Sequence, residues 1–150
     1  GITEADQWRL TTSFTGDATA LQNLERVDTS GWGKIGTGMS ESAGVFTFPS
    51  SGIWFVKFRV NNVYSGANRY TTAAIQVTTN NSSYANVSLA YESASTNAYA
   101  NTYINSIVDI TATSTHKVKF NRDAAGTQSQ LQGDTTTNTT AFTFIRLGDT

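Results

Sequence analysis

Polar and apolar side chains alternate with a period of two along most of this chain. The longest run is residues 52–60. There Trp54, Val56, Phe58 and Val60 share one face, and Ile53, Phe55, Lys57 and Arg59 share the other. Shorter runs repeat the pattern. They place Trp8 and Leu10 together in 7–12, Ala73, Ile75 and Val77 in 73–79, and Val87, Leu89 and Tyr91 on the next segment. Ile104, Val108 and Ile110 follow within 103–110, and Val118 and Phe120 alternate with Lys117 and Lys119. Residues 141–147 predict a closing strand, and a weak strand is expected near 128–132. Residues 21–28 read two ways. Leu21, Leu24 and Val27 have the spacing of a helical turn, while Gln22, Leu24 and Arg26 alternate with Asn23, Glu25 and Val27 as in a strand.

Turn chemistry separates these runs. Thr15-Gly16-Asp17, Ser50-Ser51-Gly52, Asn80-Asn81-Ser82-Ser83 and residues 111–115 read as turns, and Pro49 removes a ladder donor. Residues 29–38, 61–68, 93–97 and 123–139 read as loops. About ten closely spaced strands with no convincing helix predict an all-β antiparallel sandwich or barrel. It is expected to be one domain over residues 1–150, with no linker and no internal repeat. Its expected core contains Trp54, Val56, Phe58, Val60, Val87, Leu89, Val108, Ile110 and Phe120.

Composition narrows the function classes. Threonine is frequent, Asn and Ser are common, and runs of helix formers are missing, which favours strands. Charged residues make up 14 % and the net charge is −1, so there is no electrostatic footprint for nucleic acid and no polybasic patch for a membrane surface. No apolar run approaches the length that spans a bilayer. Nucleic acid and membrane are therefore not expected partners. The chain has no Cys, which excludes disulfides and is compatible with any redox compartment. Gly1 is not an initiator Met, and the first residues lack the basic start and apolar stretch of a secretory signal. The chain is expected to be a processed or excised part of something longer.

The segment 44–60 carries a family resemblance. Gly44, Phe46 and Pro49, then Gly52 and Trp54 at the start of the next strand, resemble the signature of the C1q/tumour-necrosis-factor-like jelly roll. The resemblance extends over nearly the whole chain. It favours the strand reading of 22–28, and it matches Tyr103 to Ile110, His116 to Phe120 and the closing Thr140-Ala141-Phe142-Thr143-Phe144-Ile145 to the family's late strands. Thr113-Ser114-Thr115 stands where the family often has a Gly-Asp turn, and the closing strand lacks the family's glycine. These departures point away from a vertebrate member. The Thr/Asn/Ser-rich, Cys-free composition is similar to C1q-like domains of phage virion proteins and bacterial surface proteins. What the resemblance implies is an antiparallel jelly roll that assembles as a homotrimer and binds without doing chemistry. Its expected place is a virion, as a fibre tip or capsid decoration, with a bacterial cell surface or a secreted ligand as alternatives. The expected partners are further copies of itself, other virion proteins and a host-surface glycan or protein receptor.

Candidate chemistry is sparse. The single His116 follows Asp109 by seven residues, but no Gly-x-Ser-x-Gly elbow is present, and His116 reads as an exposed or edge residue at a strand end. Glu4, Glu25, Glu41 and Glu92 are scattered and do not announce a glycosidase pair. Gly31, Gly33, Gly36 and Gly38 make a glycine-rich loop, but no helix follows and Lys34 is succeeded by Ile35, so a phosphate loop is not expected. No Cys and one His leave no zinc set. Asp17, Asp28, Asp123 and Asp134 could serve calcium only if turns brought them together, and none has EF-hand spacing. The expectation is no enzyme, no metal and no cofactor, with calcium the only ion to consider. The sequons at Asn80, Asn81, Asn86 and Asn138 are what an Asn/Thr-rich chain produces by chance.

Binding residues are expected among aromatics in polar loops: Trp32, Tyr64, Tyr84 and Tyr99. The competing reading is that each caps one end of the core. Ile53 and Phe55 lie on the face opposite Trp54 and Phe58. In a trimeric jelly roll they are candidates for the subunit interface. A monomeric carbohydrate-binding domain is the alternative function.

Overall fold

The computed structural model describes residues 1–66, 68–124 and 126–150. Twelve strands form two antiparallel sheets. They are β1 (Ala5–Leu10), β2 (Phe14–Thr15), β3 (Leu24–Arg26), β4 (Ser40–Ser42), β5 (Val45–Thr47), β6 (Gly52–Tyr64), β7 (Asn68–Thr78), β8 (Tyr84–Ala94), β9 (Ala98–Ile110), β10 (Lys117–Ala124), β11 (Ser129–Leu131) and β12 (Ala141–Gly148). The first sheet is ordered β2-β11-β6-β12-β1-β3, with β9 on the free side of β6. The second is ordered β4-β5-β10-β7-β8. The expected all-β sandwich is present, and no helix occurs among the described residues.

β6 organises the molecule. It keeps strict alternation for all 13 residues, pairs with β9 along one side, and is shared by β12 and β11 on the other. Its even-numbered side chains face the core. Trp54, Val56 and Phe58 are fully buried beside Phe46, Phe120, Phe142 and Phe144. Phe58 stacks on Phe142 at 5.2 Å, and Phe46 meets Trp8 edge-on at 5.4 Å.

Two signature glycines have a local reason. Ala43 and Gly44 both have positive φ (50° and 82°) and form the two-residue turn between β4 and β5. A Cβ on Gly44 would lie 2.4 Å from the Leu21 carbonyl oxygen. Gly52 has φ 143° and passes so close to β12 that a Cβ would lie 2.5 Å from the Gly148 carbonyl oxygen.

Several expectations are corrected. Residues 61–64 are strand: β6 runs through them because Asn62 finds buried partners. β8 and β9 occupy most of 93–101, leaving a turn at 95–97, and β10 reaches Ala124. The strand at 22–28 shrinks to β3, and the two-residue β2 and three-residue β4 were not anticipated.

The core expectation fails at one place. Val87 and Leu89 are exposed, whereas the other seven expected core residues are buried. Ile75 pairs with Ser88 but Gln76 pairs with Asn86, so Val87 is an extra residue in a β-bulge. Every side chain after it changes face. Ser88, Ala90 and Glu92 turn inward, while Leu89 and Tyr91 turn out.

Candidate functional site

Four of the residues singled out from sequence have different fates. Tyr64 is 1 % exposed and points between the sheets. Its hydroxyl lies 2.9 Å from Thr71 Oγ1. Burial, with the Glu92 carboxylate nearby, raises its pKa above the ordinary phenol value, against a smaller lowering by the Thr71 bond. It is a core residue, and its hydroxyl faces the buried network. Tyr84 opens β8, half-buried, with the Lys119 ammonium 4.3 Å from its ring centroid, and burial raises its pKa. Trp32 is half-buried against a shallow cleft formed with Thr29, Thr136 and Asn138. Tyr99 lies on β9 rather than in a loop, yet it is 74 % exposed.

The Tyr64 hydroxyl belongs to a polar network inside the sandwich. Glu92 on β8 accepts from Asn62 on β6 and from Thr102 on β9. Arg122 on β10 donates to Asn62 Oδ1 at 3.1 Å, to Ser129 Oγ at 2.6 Å and to the Gly16 carbonyl. Burial lowers the Arg122 pKa from its usual value, and Tyr64, Asp17 and Glu92 oppose that shift. The network fixes one end of the core and ties both outer strands to β6.

The remaining titratable groups do structural work. His116 was expected to be exposed or at an edge. It is buried, with Thr111 Oγ1 3.3 Å from Nε2 and Thr115 Oγ1 3.0 Å from Nδ1. Glu41 accepts the Gly44 N–H in the β4–β5 turn, and Glu4 accepts the N–H groups of Thr37 and Gly38. Glu25 and Asp28 flank the buried Arg9 guanidinium. Asp17 accepts the Ala124 N–H. Asp134 accepts from the Thr136 hydroxyl and the Thr136 and Thr137 N–H groups, which lower its pKa. Among the described residues no three His, Cys, Asp or Glu converge as a metal site.

Two apolar surfaces remain unaccounted for by the core. The first is a row across the outer face of the larger sheet. Strand register sets Ile107, Phe55, Ile145 and Ala5 side by side, and an isolated bridge adds Ile35. Ile107 is 65 % exposed. Ile53 continues the same face one position along, between Asp109 and Gly148. The second surface is the outward side of β8, where Val87, Leu89 and Tyr91 are exposed and Tyr70 meets Tyr91 edge-on at 5.9 Å. Sequence alternation found Ile53 and Phe55, but it sent β8 to the wrong face. The inward residues Ser88, Ala90 and Glu92 offer little apolar volume, so the β8 pattern itself pointed to the wrong face.

Solved structures share this arrangement of strands. A murine APRIL crystal structure at pH 8.5 superposes with TM-score 0.70 at 11 % identity, covering 96 % of this chain and 98 % of that one. The Eiger TNF structure from S. frugiperda gives TM-score 0.74 at 11 % identity, covering 97 % and 93 %. The fold is the tumour-necrosis-factor-like jelly roll. At these identities the likeness speaks for the fold alone. No protein-family model matches the sequence, and no curated protein matches it either.

Proposed function

We propose that this TNF-like jelly roll is a non-enzymatic binding module that works as a homotrimer. The observation that carries the proposal is the pair of unlike apolar surfaces on one protomer. The Phe55 row lies on a sheet face, and the Val87–Leu89–Tyr91 strip lies on the neighbouring edge strand. An edge docking on the next copy's face is a heterologous contact, which closes into a ring when the rotation between copies divides the circle. The family resemblance of segment 44–60 supports three copies as the ring. The engagement of His116, Glu41 and Glu92 in turns and buried bonds supports a role without catalysis.

We place the module on a virion, as a fibre tip or capsid decoration that adheres to a host-surface receptor or glycan. The support for this finer reading is the Thr/Asn/Ser-rich, Cys-free composition and the exposed aromatic Tyr99 beside amide side chains. A bacterial surface or secreted ligand is the alternative location. Light scattering on the purified chain tests the assembly. A mass near three times 16.1 kDa that survives dilution is expected, and a monomer at all concentrations overturns it.

A further inference from the structure

We infer that the cleft beside Tyr99 is a binding site for a neutral saccharide. The inference rests on the reading of the chain as an adhesive module and names what it adheres to. The cleft has a volume of about 470 Å³, within the range of small-ligand sites. Strand register builds its floor. Tyr99 on β9 pairs with Val63 on β6, Val63 with Gln130 on β11, and Gln130 with Thr15 on β2. Four hydrogen-bonded strands thus present one continuous outward row. A site held on strands keeps its geometry better than one held on loops.

The chemistry of the lining selects the ligand. Tyr99 offers an exposed aromatic face, flanked by Val63, on which the C–H face of a pyranose can lie. Around it stand Thr15, Asn97, Gln128 and Gln130, which both donate and accept. Gln130 Oε1 accepts from Gln132 Nε2 at 3.0 Å, and Gln128 Oε1 accepts from Ser65 Oγ at 3.3 Å. These bonds orient both amides and leave their Nε2 groups to donate. Among the described lining residues none carries an ionisable charge other than the phenols. An anionic sugar or a charged peptide would lose its hydration there with no counter-charge in return. A polyhydroxylated neutral ring finds both donors and acceptors in this lining.

The cleft lies apart from the Phe55 row. Phe55 and Val63 are eight residues apart on β6, about 26 Å at ordinary strand rise. Asn97, with φ 57°, holds the tight turn of the β8–β9 hairpin at the cleft's rim. Sugar binding and trimer formation can therefore be tested one without the other.

The experiment is saturation-transfer NMR and calorimetry on the full chain, with maltotriose, cellotriose and chitotriose as neutral probes. Sialyllactose and a heparin tetrasaccharide serve as anionic probes. At least one neutral trisaccharide should bind with millimolar or tighter affinity, equally at low and high salt. Tyr99→Ala should weaken it at least ten-fold with unchanged melting temperature, since the ring is exposed, and Tyr99→Trp should retain it. Binding by none of the neutral probes, binding by the anionic ones alone, or a Tyr99→Ala variant that binds as tightly as the parent overturns the inference. The mass of the same samples separates the two readings. A trimer that binds no sugar overturns only the saccharide site, and a sugar-binding monomer overturns only the trimer.

Discussion

β6 and β8 carry the same alternation and behave oppositely. Both are long strands with an apolar residue at every second position. In β6 the apolar phase points inward from Gly52 to Tyr64 without interruption. In β8 the apolar phase that starts at Val87 points to solvent, because the bulge at that residue shifts the register against β7. β6 is held on both sides by β9, β12 and β11, so a bulge would break several ladders at once. β8 is an edge strand, bonded on one side only, where bulges are tolerated and often serve to re-aim side chains. The lesson is that alternation reports two faces, and neighbouring strands decide which face is inside.

The comparison is broken most forcefully from the β6 side. Trp54 is fully buried, packs 5.1 Å from Phe48, and donates its indole N–H to the Ser50 carbonyl. Trp54→Ala should cost about 3–5 kcal/mol in urea unfolding, a large part of a domain's stability. A loss below 1 kcal/mol would remove β6 from the centre of the core.

Glu92→Ala attacks the β8 side. The bulge at Val87 turns Glu92 inward, where its carboxylate accepts from Asn62 and Thr102. Removing it leaves the buried Asn62 amide and the Thr102 hydroxyl without their acceptor and should cost on the order of 3 kcal/mol. A Glu92→Ala variant as stable as the parent would mean that the inward phase of β8 does not serve this network.

Substitutions on the two exposed surfaces should leave the protomer nearly intact and act on assembly. Phe55→Asp and Leu89→Asp each place an unpaired charge where a second copy is proposed to dock. Either change alone should shift the trimer toward monomer in sedimentation, with far-ultraviolet dichroism unchanged. If both variants remain trimeric with parental thermal stability, these surfaces do not meet.

The smallest effect is at the far end of β6. Tyr64→Phe removes one buried hydroxyl bond and should cost about 1 kcal/mol. Tyr64 and Tyr84 both have raised phenol pKa values in the folded chain. Above the ordinary phenol pKa of about 10 the unfolded chain therefore releases these protons first, so stability falls as pH rises through that value. Stability profiles between pH 8 and 11 should show a shallower alkaline decline in Tyr64→Phe. An identical slope in parent and variant would mean that Tyr64 ionises as readily folded as unfolded.

What the sequence determined by itself was whatever rests on local geometry and uninterrupted period. Ser50-Ser51-Gly52 announced a turn, and the positive φ and backbone crowding at Gly52 admit little else there. The β6 alternation announced both the buried Trp54 face and the outward Phe55 face, since a strand has only two sides. Tertiary structure alone decided three things. It decided that Asn62 and Tyr64 lie inside, because burying an amide and a phenol is favourable only where Arg122, Glu92 and Thr71 arrive from distant strands to satisfy them. It decided the phase of β8, because a bulge is a relation between two strands and has no signature in one. And it gathered Thr15, Val63, Tyr99 and Gln130, scattered over more than a hundred residues, into one row, because strand register is fixed by long-range hydrogen bonds that no local segment contains.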